Sequence, residues 1–317
     1  MLGAIRDAFV GQGVLTERQG TVLVAGSGVL FSVTAIAVAA VENATDFQFL
    51  TYRGGSTALA MVILILIRRS NRPVDFSGLT PTVWLASGIL ACTSMSYILA
   101  LSRTSAATTL FLLAAAPIFA ALIGWVLLRE AVTTTTGIAI AITAVGVAIT
   151  VGAGLDVGSV IGLVFAGLIP ITIGLYSVLM RSAAGVDPVI PTLIAGSLLG
   201  IGSAVMALIQ GGIAVSAHDA ALACVSGGFA MGLGLPMFNL GHRSVTAAKM
   251  PLLLMTEVVL APLWVWIWPG EVPSVATLFG GAVILGAIVW LVVVSHDVPD
   301  AAPSSRLPAI PDNGRRH

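Results

Sequence analysis

The sequence predicts an all-α integral membrane protein of ten transmembrane helices arranged as two inverted five-helix repeats. Three observations lead there. Of 317 residues, 57% are hydrophobic and 9% charged, against roughly 25% charged residues in soluble domains. Mean hydropathy is +1.05. The apolar residues also fall in continuous runs of the length that a bilayer core of about 30 Å requires, about 20 residues per helix. These runs lie at 21–41, 49–67, 81–100, 106–128, 133–152, 159–180, 189–210, 219–240, 248–268 and 274–295. They are continuous rather than alternating, which disfavours strands, since a lipid-exposed sheet edge would leave backbone groups unpaired. A water-soluble globule is excluded.

Before the first run, residues 1–20 scatter Arg6, Asp7, Glu17 and Arg18 among apolar positions and lack the compact basic start and cleavage site of a signal peptide. They are expected to form a cytoplasmic lead-in. Arg68, Arg69 and Arg72 follow the second run, Arg129 the fourth and Arg181 the sixth, while Arg243 and Lys249 flank the turn from the eighth to the ninth. The intervening loops hold Glu42, Asp46, Asp156, Asp219 and Glu271 but only one base, Arg103. By the positive-inside rule both termini are cytoplasmic. The tail at 296–317, with Pro299, Pro303, Pro308 and Pro311, is expected to be disordered and dispensable for the fold.

Composition also narrows function. Fourteen Lys+Arg balance fourteen Asp+Glu, so there is no basic surplus to bind nucleic acid. Cys92 and Cys224 sit inside apolar runs without a CxxC or Cys/His cluster. They are read as small buried hydrophobes rather than a disulfide framework or metal ligands. No GxGxxG, Walker, HExxH or nucleophile-elbow motif is present. Neither a bound cofactor, ATP-driven work nor catalysis is therefore expected.

Shifting the chain against itself by 141 positions aligns its halves. Gly26 meets Gly167, Asp46 meets Asp187, Gly55 meets Gly196, Ala106-Ala107 meets Ala247-Ala248, Trp125 meets Trp266 and Glu130 meets Glu271. Matches at Asp, Trp and Glu under one offset point to an internal duplication. With five runs in each copy, the second enters the membrane from the opposite face. Two similar, oppositely oriented units can exchange conformations and so open a central site to one side and then the other. That architecture suits a carrier of a small-molecule solute; a duplicated scaffold without transport is the competing reading.

The stretch from Tyr97 to Thr150 carries Ser105-Ala106-Ala107 opening a helix, Ala116-Pro117 within it, Arg129-Glu130 closing it and a Gly137–Gly146 helix beyond. The second copy has Thr246-Ala247-Ala248, Thr256-Glu257, Gly270-Glu271 and then Gly280, Gly281 and Gly286. These landmarks resemble the EamA-type repeat of the drug/metabolite transporter superfamily. The resemblance runs over about 21–293, with copies at 21–152 and 159–295. It implies a secondary exporter of small metabolites in a bacterial inner membrane, an amino acid or related compound being one cargo and drugs or organic cations another. It also implies a cavity among the first, third, fourth, sixth, eighth and ninth helices, in a monomer or homodimer. The copies differ at two places: Ile194 stands opposite Arg53, and Val258 opposite Pro117.

Among the candidate residues Glu257 stands out, about nine residues into the ninth run, where a charge at bilayer depth costs about 2.5–3.5 kcal/mol. It reads either as a carboxyl that takes up and releases a proton as access alternates, or as a gating or structural hydrogen-bonding group. Arg53 reads as an interfacial anchor able to pair with Glu42 or Asp46, or as a substrate contact. Lys249 reads as part of the positive-inside signature or as an attractor of anionic solutes. Thr34, Trp84, Tyr97, Tyr176 and Asn239 interrupt apolar runs, as the few orienting groups of a ligand pocket do, with core packing as the alternative. The superfamily's cavity-lining helices favour Thr34, Tyr97, Tyr176 and Asn239 as substrate contacts. Gly196 and Gly200, and Gly20, Gly26 and Gly28, are spaced for close helix approach. Glu130 and Glu271 fall at corresponding helix ends as capping groups or gate latches.

The inverted reading makes a topological prediction. Single cysteines placed at His317 and at Asp75 should both react with a membrane-impermeant thiol reagent only from the cytoplasmic side; labelling from opposite sides removes the inversion.

Overall fold

The computed structural model describes residues 15–68, 78–104, 106–129, 131–152, 160–183, 186–246, 249–267 and 275–294. Most of the lead-in, the tail 296–317, and Glu130 and Glu271 lie outside these residues. All regular structure among the described residues is helical. In chain order the helices are α1 (Glu17–Ala39), α2 (Asp46–Arg68), α3 (Pro81–Leu101), α4 (Ala106–Leu113), α5 (Ala116–Leu128), α6 (Thr134–Gly152), α7 (Val160–Ser182) and α8 (Val189–Ile209). They continue with α9 (Ala217–Cys224), a π-helical segment (Val225–Met231), α10 (Gly232–Gly241), α11 (Lys249–Leu253), α12 (Thr256–Ile267) and α13 (Val275–Val294).

Local chemistry sets the starts. Thr16 and Gln19 form a reciprocal capping box on α1, each side chain accepting the other's backbone N–H at 3.3 and 3.0 Å. Thr45 and Gln48 repeat it on α2 at 3.4 and 2.9 Å. Pro81 opens α3, where its missing N–H has no helical partner to lose. Ser216 caps α9 by accepting the Asp219 N–H at 3.0 Å.

Six of these stretches have the length and apolarity of a membrane crossing: Glu17–Ala39, Asp46–Ile67, Pro81–Leu101, Val160–Ser182, Val189–Ile209 and Ala217–Gly241. The chain is a multi-pass membrane protein. The runs expected at 106–128 and 248–268 are not continuous helices; each is broken. Tight i→i−3 turns mark both breaks, with Ala115 N–H donating to Leu112 O at 3.0 Å and Met255 N–H to Leu252 O at 3.1 Å. Under the 141-residue shift the two breaks fall at nearly corresponding places although Val258 stands opposite Pro117. Proline is therefore not what both breaks have in common.

The exterior is apolar. Leu66, Ile67, Trp125, Val126, Val160, Ile201, Ile209 and Val275 are all more than half exposed, as a surface facing lipid should be. Cys92 and Cys224 are exposed as well, and Trp84 is 52% exposed, contrary to the buried positions expected for all three. Hydrophobicity separates core from surface only when water is the solvent; in a bilayer both are apolar.

At the centre, α2 packs against α8, α3 against α7 and α8, and α1 against α10 and α12, while α6 packs on α13. The α2–α8 crossing brings backbone against backbone. A Cβ on Gly54 would lie 2.3 Å from the Gly200 backbone nitrogen and 2.8 Å from the Gly196 carbonyl oxygen, and one on Gly200 would lie 2.8 Å from the Gly55 nitrogen. Glycine there lets two backbones touch. Gly54→Ala should therefore destabilise the protein by roughly 1–3 kcal/mol or more, because the obstacle is backbone and cannot rotate away. Gly55→Ala is the control, since a Cβ there meets nothing within 4 Å. Thermal unfolding of the two purified variants checks the contrast.

Candidate functional site

The α2–α8 crossing fixes Arg53, which precedes Gly54. One turn on, Thr57 donates its hydroxyl to Gly227 O of the π-helical segment at 3.0 Å, and a Cβ on Gly227 would meet Arg53 O at 2.1 Å. The stretch of α2 carrying Arg53 is thus wedged between α8 and the π segment. Opposite it, α3 presents Thr93 and Tyr97 one turn apart, with Ser94 between them. The break between α11 and α12 contributes Glu257 in the first turn of α12, near the positive end of that helix's dipole.

These elements surround a cavity in which about 80 Å³ is open to the centres of water molecules, several times the ~10–15 Å³ that one water needs. Its polar lining is Arg53, Thr57, Thr93, Ser94, Tyr97 and Glu257; the rest is apolar, including Phe31, Leu90, Leu113, Ile169, Leu199, Leu235 and Phe238. Tyr97 donates its hydroxyl to Glu257 Oε1 at 2.8 Å, and this pair is buried. Arg53 is 1% exposed and lies within coulombic reach of both. Its Nε and Nη1 have no hydrogen-bond partner among the described residues. The interfacial-anchor reading of Arg53 fails: the side chain is enclosed, and Asp46 instead pairs with Arg103 at 2.6 Å.

The remaining candidates lie elsewhere because their hydrogen bonds are committed to neighbouring helices. Thr34 Oγ1 accepts from Ser226 Oγ at 3.3 Å, joining α1 to the π segment. Tyr176 donates to Asn239 Oδ1. Asn239 Nδ2 in turn donates to Pro188 O and Thr192 Oγ1, both at 3.1 Å, which clasps α7, α8 and α10 together. Neither residue lines the cavity, although the Tyr176 ring stacks on Phe238, which does. Lys249 is paired with Glu17. Of the expected site residues, then, the fold brings together Arg53, Tyr97 and Glu257.

Sequence reasoning missed Thr57, Thr93, Ser94 and the π segment. A signal existed for two of these: Arg53 with Thr57, and Thr93 with Tyr97, are polar pairs at i, i+4 on otherwise apolar helices, which puts each pair on one face. Periodicity carries no comparable mark of the π segment.

Removing the Tyr97 hydroxyl leaves a buried carboxyl oxygen without its donor, so Tyr97→Phe should lower stability by about 1–3 kcal/mol. On a Glu257→Leu background the same change should have almost no effect. A double-mutant cycle on thermal or denaturant unfolding checks this coupling.

Comparison with known proteins agrees with this architecture. A crystal structure 18% identical in sequence superposes with a TM-score of 0.72, covering 88% of this chain and 99% of its own, which shows a shared fold. No curated protein matches the sequence. Residues 18–152 match the model of the EamA-like transporter family, and residues 159–295 lie outside that match. The protein is a multi-pass membrane protein whose residues 18–152 are similar to the EamA-like transporter family.

Proposed function

We propose that this chain is a secondary carrier that exports a small organic metabolite, an amino acid or related compound, by alternating access between two inverted five-helix units. The observation that carries the reading is the cavity where Arg53, Tyr97 and Glu257 meet, walled by helices from both halves and bordered by a broken helix. Interrupted helices beside a buried polar site are how membrane carriers hold solutes away from lipid.

Two further features support the inversion. Helix pairing maps onto itself under the 141-residue shift: α2 pairs with its counterpart α8 and α6 with its counterpart α13, while α3–α7 corresponds to α10–α1. The polar contacts also sort into two sets. Glu17–Lys249, Arg181 Nη1 to His242 O (2.7 Å) and Arg243 Nη2 to Val186 O (3.2 Å) involve positions assigned to the cytoplasmic side. Arg103–Asp46 and the acceptance by Asp219 of N–H bonds from Glu42, Asn43 and Ala44 at 3.0–3.1 Å involve positions assigned to the other.

In this mechanism Glu257 is the coupling group. Its carboxyl is the acidic member of the polar lining, and protonation there changes both its charge and its bond with Tyr97. Reconstituted in liposomes, the wild type should exchange a radiolabelled amino acid against an unlabelled internal pool and accumulate it under an imposed pH gradient. Glu257→Gln should keep exchange but reduce gradient-driven accumulation to the level of protein-free vesicles. Wild-type accumulation indifferent to the gradient would refute proton coupling, and exchange no faster than in empty vesicles across amino acids, nucleosides, sugars and quaternary amines would refute the carrier.

A further inference from the structure

Within that carrier reading, we infer that the solute has a single carboxylate on an apolar body and that Arg53 is the residue that receives the carboxylate. A guanidinium always bears its charge in proteins, and burying it without hydrogen bonds is unfavourable unless something completes the site. Here Nε and Nη1 lack partners in a side chain that is 1% exposed and lines the cavity. Glu257 does not complete it: its Oε1 is engaged by Tyr97, and the arginine is only within its electrostatic reach. The missing partner is an anion with acceptor oxygens, which arginine binds by charge-assisted hydrogen bonds.

The surroundings limit that anion to one charge. Arg53 is the sole basic residue of the lining, Glu257 is already present, and the other walls are mainly apolar, so a phosphate dianion would enter under-compensated. The asymmetry of the halves sets the orientation. Under the 141-residue shift Arg53, Tyr97 and Glu257 correspond to Ile194, Phe238 and Ala116. The head group therefore lies toward α2, α3 and α12, and the apolar body toward Phe238, Ile169 and Leu199.

The test uses full-length protein in detergent and three ligand sets: straight-chain carboxylates from propionate to hexanoate, straight-chain amines of the same lengths, and L-leucine. Thermal shifts should be saturable for carboxylates and leucine and absent for the amines. Arg53→Met should weaken the carboxylate shift roughly 10- to 100-fold, the range expected for losing hydrogen bonds to a charged group. The melting temperature of empty Arg53→Met should equal or exceed that of empty wild type, because the substitution removes a buried charge whose Nε and Nη1 make no hydrogen bonds among the described residues; a merely structural arginine would lower it. Arg53→Lys, which keeps the charge, should fold and bind with intermediate affinity. The inference is overturned if no carboxylate shifts the wild type, if amines stabilise it as well as carboxylates do, or if Arg53→Met keeps the full carboxylate shift. In each of these cases vesicle exchange of an amine or other uncharged or cationic solute would leave the carrier standing, whereas absence of exchange by every solute would remove both readings.

Discussion

Close backbone contact between α2 and α8 is the constraint on which the rest of the molecule depends. Lipid tails are as apolar as leucine, so no hydrophobic force gathers helices within a bilayer, and interhelical hydrogen bonds there contribute only about 0.6 kcal/mol each on average. Packing must supply the cohesion. Gly54 against Gly196 and Gly200 lets two backbones meet over a turn, and the contact joins corresponding helices of the two halves. It also fixes Arg53, one residue before Gly54, at a depth and rotation that a looser crossing would leave free.

The two broken helices solve a different problem. A polar cavity in a membrane needs backbone and side-chain groups that are not all consumed by helix formation, yet none can be left facing lipid. Interrupting the chain at Ala114–Ala115 and Leu254–Met255, both buried or partly buried, meets both conditions, and the second interruption starts a new helix beside Glu257. Around this centre the other polar groups act as fasteners. Tyr176, Asn239 and Thr192 tie α7, α8 and α10, while Ser226 and Thr34 tie α1 to the π segment. Their hydrogen bonds are made between helices, which is why they are buried without reaching the cavity.

The halves are alike in pairing and unlike in chemistry. The replacement of Arg53, Tyr97 and Glu257 by Ile194, Phe238 and Ala116 breaks that symmetry at the cavity. One wall is charged and the other greasy.

Much of this was written in the sequence. Membrane embedding and helical class follow from run length and charge content, because the bilayer fixes how many apolar residues a crossing requires. Glu257 was also visible, since a carboxyl within an apolar run is too costly to be incidental. What the sequence could not decide was facing. With lipid outside and side chains inside, Cys92, Cys224 and Trp84 look the same to a hydropathy scale whether they turn inward or outward, and all three turn outward. Arg53 stood close enough to a helix end to pass for an anchor, and Tyr176 and Asn239 were polar enough to pass for ligand contacts. Only tertiary packing, by choosing which side of each helix meets which neighbour, enclosed Arg53 with Nε and Nη1 lacking hydrogen-bond partners among the described residues and left Tyr176 and Asn239 joined to neighbouring helices.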